Sequence, residues 1–236
     1  MSSLARGLKA YALVAVIAAI AYHRAELLGV LRLAVQLRAA VGVPRALLIS
    51  LLLRFNYLAA WPEARAALDG AVVDDEAFFA FPNAGAIAVL FLPGGGVEED
   101  AYAPLLRALA QSTSATVVCL RLPSRHPMMV RKGTLRKLMA KFPAVRRWVL
   151  AGHSLGAGSF GAAGLAHELL SDRKPLPGEA SLAGLLMLAG AVTGKVDLSG
   201  HEALRCLAIL ASEDTVPCPH HLLFLRLLPA ARARLI

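Results

Sequence analysis

Short apolar runs separated by helix-length segments organise the chain beyond Pro62. Each run has the length of a strand that is buried on both faces of a sheet. This alternation predicts an α/β fold with a mostly parallel, doubly wound sheet and helices on both faces. The predicted strands lie at 86–92, 116–120, 147–151, 184–188, 206–211 and 232–236, and the predicted helices at about 100–111, 128–142, 155–171 and 217–228.

Residues 1–70 follow a different pattern and are interpreted as an apolar, basic N-terminal segment preceding a domain at 71–236. The uncharged run at 10–22 is shorter than the roughly 20 residues that span a bilayer. We expect a membrane-associated anchor with a helix in this segment. Two alternatives stay open: a signal peptide cleaved after Ala21, giving a secreted protein, or a transit peptide, since 24–60 is rich in Leu, Ala and Arg.

The charge distribution argues against a nucleic-acid partner. The net charge is +9, but residues 1–60 hold seven bases and one acid, so the rest of the chain is nearly balanced. The densest basic run, at 131–147, has no interleaved aromatic residues and is typical of a solvated helix face. Three cysteines form no CxxC pair, and Cys119 and Cys206 lie in apolar runs, so neither disulfides nor a metal site are predicted.

Residues 150–158, LAGHSLGAG, contain two overlapping glycine motifs. Gly152, Ser154 and Gly156 match GxSxG, the strand-to-helix turn of a serine nucleophile, in which the two glycines let strand and helix pass closely. The glycines at 156–161 match GxGxxG, but they begin inside the predicted helix and follow at least two earlier strands, unlike a dinucleotide loop. The context therefore favours the serine turn.

A second glycine-rich loop, FLPGGG at 91–96, follows an early predicted strand. Its backbone N–H groups, at Gly94 and Gly95, are unobstructed by side chains and suit an oxyanion hole, with the N–H of Leu155 as the other donor. An ordinary glycine turn is the alternative.

The segments 91–110, 148–158 and 207–215 together resemble the α/β hydrolase superfamily, and more narrowly the small, lid-poor group called α/β hydrolase fold-5, relatives of dienelactone hydrolase. The resemblance covers about 77–236. It implies a serine hydrolase that cleaves small carboxylic esters through an acyl-enzyme, without cofactor or metal. It also implies Asp214 as the acid, although Thr215 stands where the family usually has glycine; Asp197 is the fallback.

The catalytic histidine of such a triad follows the acid in the chain. After Asp214 the sequence offers only His220 and His221, six and seven residues later at the start of a predicted helix, and both are weak candidates. The family's histidine loop would follow the last predicted strand, beyond Ile236. We therefore expect the chain as written to be a weak or inactive esterase; a noncatalytic hydrolase-like binding or scaffold protein is the alternative.

Overall fold

A computed structural model describes residues 58–74, 76–122, 125–172, 174–209, 227–229 and 233–235. The apolar run at 10–22 lies outside this part of the chain, as do Asp214, His220, His221 and most of the helix predicted at 217–228. Among the described helices, none has the length and apolarity needed to cross a membrane.

The described residues form one mixed sheet in the order β1-β2-β4-β3-β5-β6-β7-β8. β1 pairs with β2, and β2 with β4, in antiparallel fashion, whereas all later neighbours are parallel. The mostly parallel sheet predicted from the sequence is therefore confirmed. The strands are β1 Val72–Asp74, β2 Phe78–Phe81, β3 Ile87–Leu92, β4 Thr116–Leu120, β5 Arg147–His153, β6 Ser181–Leu188, β7 Arg205–Ile209 and β8 Ala233–Leu235.

Helices cover the sheet on both faces, as a doubly wound fold requires. One face buries Phe91 and Val117 against Leu106 of α2, and the other buries Trp148 and the apolar side chains of α3 and α4. Burial of these side chains is the main stabilising term of the fold. The helices are α1 Pro62–Ala66, α2 Ala103–Ser112, α3 Lys132–Ala140 and α4 Ala162–Ser171.

Three elements differ from the sequence prediction: the strands β1 and β2, and the helix α4. The strands β1 and β2 were not predicted, because they have only three and four residues, Val72–Asp74 and Phe78–Phe81. The helix expected from residue 155 begins at Ala162. The backbone before it is not regularly helical, since Gly161 has φ of −130° and ψ of −128°. Gly158 packs closely against Ala191 there, so that a Cβ would overlap the carbonyl oxygen of Ala191.

The two cysteines in the described strands are free and buried, as predicted for small apolar residues. Cys119 lies in β4, where burial raises the pKa of its thiol well above the usual range. Burial also raises the pKa of Cys206, in β7, to about 12. Both thiols therefore stay protonated and unreactive at neutral pH.

Candidate active site

Ser154 lies at the sharp turn where β5 ends. The strand runs to His153, and Ser154 opens a single 3-10 turn that ends at Gly156. The backbone of Ser154 has φ of +52°, in the left-handed region that side chains other than glycine rarely adopt. Such strain persists only where the surrounding structure enforces it, and it is a recurrent feature of functional sites.

Two glycines leave the space that this turn requires. A Cβ on Gly152 would overlap the carbonyl oxygen of Gly156, and a Cβ on Gly156 would overlap the carbonyl oxygens of Leu92 and Pro93. The turn after β5 is therefore packed directly against the end of β3. Glycine is the residue that permits this approach of one backbone to another.

The glycines of the second motif serve packing rather than phosphate binding. Gly158 faces the backbone of Ala191, and a Cβ on Gly161 would overlap the carbonyl oxygen of Gly156. The motif begins in the turn of Ser154 and ends one residue before α4, so it does not connect a strand directly to a helix. The dinucleotide interpretation therefore lacks its structural context.

The glycine loop after β3 forms a tight turn beside Ser154. The N–H of Val97 donates to the carbonyl oxygen of Gly94 at 3.3 Å, and Gly96 occupies the position of positive φ, at +74°. The N–H of Gly96 donates to the carbonyl oxygen of Arg125 at 2.9 Å, which ties this turn to the loop after β4.

The N–H groups of Gly94 and Gly95 differ in whether they have a hydrogen-bond acceptor. Gly94 donates its N–H to the phenol oxygen of Tyr102 at 3.0 Å, and the same oxygen lies 2.9 Å from Nδ1 of His153. Gly95 N–H has no acceptor within the described residues. Of the two loop donors predicted from the sequence, Gly94 thus donates to Tyr102, whereas the N–H of Gly95 has no such partner in the described part of the chain.

An acidic run directly after the glycines anchors the loop, a role that sequence analysis missed. The carboxylate of Glu98 accepts hydrogen bonds from the side chain of Arg65 at 2.9 Å and from the N–H of Ala60 at 2.8 Å. The buried carboxylate of Glu99 accepts from the N–H of Leu122 at 2.9 Å. Consecutive acids next to a glycine turn were the available signal.

His126 borders the glycine loop. Its side chain is buried, and a Cβ on Gly95 would lie 3.2 Å from both Cε1 and Nε2 of this imidazole. The same Cβ would lie 2.7 Å from Cδ1 of Leu155, so the loop, the imidazole and the leucine meet at one point. Burial lowers the pKa of His126, which keeps the ring neutral around pH 7.

Large apolar side chains are exposed near the Ser154 turn. Leu155 is 38% exposed, and Phe160 lies exposed in the segment between this turn and α4. Met129 is exposed at the end of a short turn, Pro127–Met129, that contacts the Ser154 turn. Exposed apolar side chains near a candidate nucleophile favour an apolar ligand.

Of the two candidate acids, the structure describes Asp197 but not Asp214. Asp214 lies outside the described residues, and its position relative to Ser154 stays a prediction. Asp197 is exposed, and its Oδ1 accepts the N–H of Ser199 at 2.9 Å and the hydroxyl of Ser199 at 2.7 Å. These hydrogen bonds lower the pKa of Asp197 and account for it as a turn-forming residue.

The strand order and the serine turn after β5 define the class of protein to which the chain is related. Residues 88–222, more than half of the chain, match the model of the alpha/beta hydrolase family, and the chain belongs to this family. The superfamily resemblance seen in the sequence is thereby confirmed.

No curated protein matches the chain. A solved hormone-sensitive lipase from a metagenome library is similar at 18% identity and a TM-score of 0.48, over 74% of this chain and 78% of that one.

The close packing of Gly156 predicts that Gly156→Ala lowers the free energy of unfolding by on the order of 1–3 kcal/mol, because the new Cβ overlaps two backbone carbonyls that cannot easily move. Urea denaturation followed by the fluorescence of the buried Trp148 measures this change.

Gly133→Ala is the matched control for this substitution. Gly133 lies in α3, and a Cβ added there would meet no atom of another segment within 4 Å, so alanine should raise the free energy of unfolding by up to about 1 kcal/mol. Equal stability of the Gly156→Ala variant and the wild type would contradict the packing described for the turn.

Proposed function

We propose that this chain is a serine hydrolase that cleaves small carboxylic esters through an acyl-enzyme with Ser154 as nucleophile. The observation that carries the proposal is the left-handed backbone of Ser154 at the end of β5, beside a glycine loop in which the N–H of Gly95 is available. Membership of the alpha/beta hydrolase family supports hydrolase chemistry in general.

In the proposed reaction the Oγ atom of Ser154 attacks the ester carbonyl carbon, and the carbonyl oxygen becomes an oxyanion. The N–H groups of Gly95 and Leu155 stabilise this oxyanion. Leu155 is suited to this role because the first N–H groups of a helical turn have no acceptor within the turn. Each such donor contributes about 3–4 kcal/mol in comparable sites.

Collapse of the tetrahedral intermediate expels the alcohol and leaves the acyl group on Ser154. Water then attacks the acyl-enzyme, releases the carboxylic acid and restores the serine. Both steps require a histidine that takes a proton from the attacking oxygen and gives it to the departing one, with Asp214 orienting that histidine. His220 and His221 are the candidates within the chain, and both lie outside the described residues.

His153 is unsuited to the role of base although it precedes the nucleophile. Its Nδ1 is engaged by Tyr102 at 2.9 Å. The peptide turns sharply between His153 and Ser154, from an extended conformation at φ of −119° to the left-handed region. Neighbouring side chains separated by such a turn point in different directions.

The exposed Leu155, Met129 and Phe160 support an apolar acyl group in the substrate. Such side chains contribute binding energy through the area that they remove from water, about 25 cal/mol per Å². No cofactor or metal enters this chemistry, since the nucleophile, the oxyanion donors and the proton carriers are all groups of the protein.

A fluorophosphonate probe tests the nucleophile, because it forms a covalent bond with the activated serine of a serine hydrolase. Because the sequence offers only weak candidates for the base, we expect slow labelling of the wild-type chain at the peptide that contains Ser154, and none in Ser154→Ala. Peptide mass spectrometry identifies the labelled residue.

Ser159→Ala is the matched control, since Ser159 lies five residues away and bonds to the side chain of Thr193. It should be labelled like the wild type. If the wild type is not labelled at Ser154, or if Ser154→Ala is labelled equally, the proposed function is wrong and a noncatalytic hydrolase-like protein becomes the better interpretation.

The choice between the two acids is tested by the paired variants Asp214→Asn and Asp197→Asn. Loss of the orienting carboxylate lowers turnover about 10⁴-fold in comparable triads, so Asp214→Asn should react with the probe more slowly than the wild type. Asp197→Asn should react within about twofold of the wild type, because Asp197 is occupied by Ser199. The reverse order of effects would assign the acid to Asp197.

Membrane association through residues 1–70 is a separate proposal, which rests on the apolar run at 10–22 and the excess of bases around it. We expect the full-length chain in the membrane pellet after cell fractionation, extractable by detergent but not by high salt. Recovery of the intact chain in the soluble fraction would contradict this proposal and its cleaved-signal alternative.

A further inference from the structure

We infer that Tyr102 is a positioning residue for the oxyanion hole, because its phenol oxygen joins the N–H of Gly94 to the imidazole of His153, the residue directly before the proposed nucleophile. This inference rests on the proposed function and assigns to Tyr102 the orientation of the Gly94–Gly95 backbone relative to Ser154.

Three segments meet at the phenol oxygen of Tyr102. It lies 3.0 Å from the N atom of Gly94 and 2.9 Å from Nδ1 of His153, while Tyr102 itself ends a short 3-10 turn directly before α2. The ring packs on Phe91 with 4.9 Å between centroids, which fixes the position of the oxygen. A single atom therefore connects the glycine loop, the start of a helix and the end of β5.

The direction of each hydrogen bond follows from the protons available. The phenol oxygen accepts the N–H of Gly94 and has one proton of its own to donate. Burial raises the pKa of Tyr102 to about 12, so this proton is retained throughout the neutral range. We infer that the phenol donates this proton to Nδ1 of His153, which assigns the ring proton of that imidazole to Nε2.

This arrangement selects which N–H of the loop faces the substrate. The N–H of Gly94 is held away by Tyr102, and the turn that follows uses the N–H groups of Gly96 and Val97. The peptide between Gly94 and Gly95 is thereby fixed at both ends, and the N–H of Gly95 is left in one orientation. Without the phenol oxygen, two successive glycines are free to rotate, because glycine has the widest range of backbone angles.

The close packing around Gly94 also supports the inference that Tyr102 orients this loop. A Cβ on Gly94 would lie 3.0 Å from Nδ1 of His153 and 3.1 Å from the phenol oxygen of Tyr102. The loop is thus in direct contact with both partners. A small displacement of oxyanion donors lowers the reaction rate by up to about 100-fold, because they stabilise the transition state more than the bound substrate.

Tyr102→Phe tests the inference, since it removes one oxygen and keeps the ring against Phe91. We expect kcat for hydrolysis of p-nitrophenyl butyrate, and the rate of fluorophosphonate labelling, to fall about 10- to 100-fold. KM should change less than about twofold, because ground-state binding does not use the oxyanion donors. A variant that merely loses folded protein would instead lose labelled sites without a change in the rate constant of those that remain.

The hydrogen bond between Tyr102 and His153 can be tested independently of enzymatic activity, by measuring the ¹⁵N resonances of His153 in the full-length protein. We expect Nδ1 to show the shift of an unprotonated, hydrogen-bonded nitrogen and Nε2 that of a protonated one, and Tyr102→Phe to change the Nδ1 shift. A proton on Nδ1 of the wild type, or an Nδ1 shift that Tyr102→Phe leaves unaltered, would overturn the assigned network.

The two measurements separate failure of this inference from failure of the proposed function. Unchanged kcat and labelling in Tyr102→Phe, with the ¹⁵N change present, would show that the network exists but does not position the oxyanion hole, and the inference is then wrong. No labelling of Ser154 in the wild type would contradict the proposed function and, with it, the positioning role assigned to Tyr102, whatever the ¹⁵N shifts show.

Discussion

The contact between the backbone of Gly156 and the carbonyl oxygens of Leu92 and Pro93 is the constraint on which the rest of the site depends. Parallel pairing of β3 with β5 sets Leu92 opposite Gly152, so the segments that follow both strands begin side by side. These two segments can turn in the narrow space between them only because Gly152 and Gly156 lack a side chain. Ser154 lies between these glycines, and its left-handed backbone follows from the turn that they allow.

The hydrogen bonds of the neighbouring loop determine which of its N–H groups could stabilise the oxyanion of the proposed reaction. Three of its N–H groups, at Gly94, Gly96 and Val97, have acceptors within the protein, and that of Gly95 has none in the described part of the chain. In the proposed reaction, the N–H of Gly95 donates to the oxyanion. The carboxylates of Glu98 and Glu99 accept hydrogen bonds from the N–H groups of Ala60 and Leu122, respectively, and so anchor the loop.

The sheet could be predicted from the sequence because its central strands are separate apolar runs, and the serine turn because its two glycines have a fixed spacing around Ser154. The hairpin of β1 and β2 could not, since its strands of three and four residues are shorter than the apolar runs from which the other strands were predicted. The start of α4 was predicted too early because the backbone contacts of Gly158 and Gly161 cannot be read from the sequence. Gly158 packs on Ala191, a distant residue, and Gly161 packs on Gly156 in the turn of Ser154. Tyr102 was missed for the same reason, since its partner His153 is 51 residues away.

The crystal structure of a fluorophosphonate adduct of the chain tests the central claim most directly, because the phosphonyl oxygen occupies the place of the oxyanion. The account predicts a bond from phosphorus to Oγ of Ser154, with the phosphonyl oxygen about 2.7–3.1 Å from the N atoms of Gly95 and Leu155. The N–H of Gly94 should still donate to Tyr102. An oxygen bound by the N–H of Gly94 instead of Gly95, or a phosphonate attached to another residue, would contradict it.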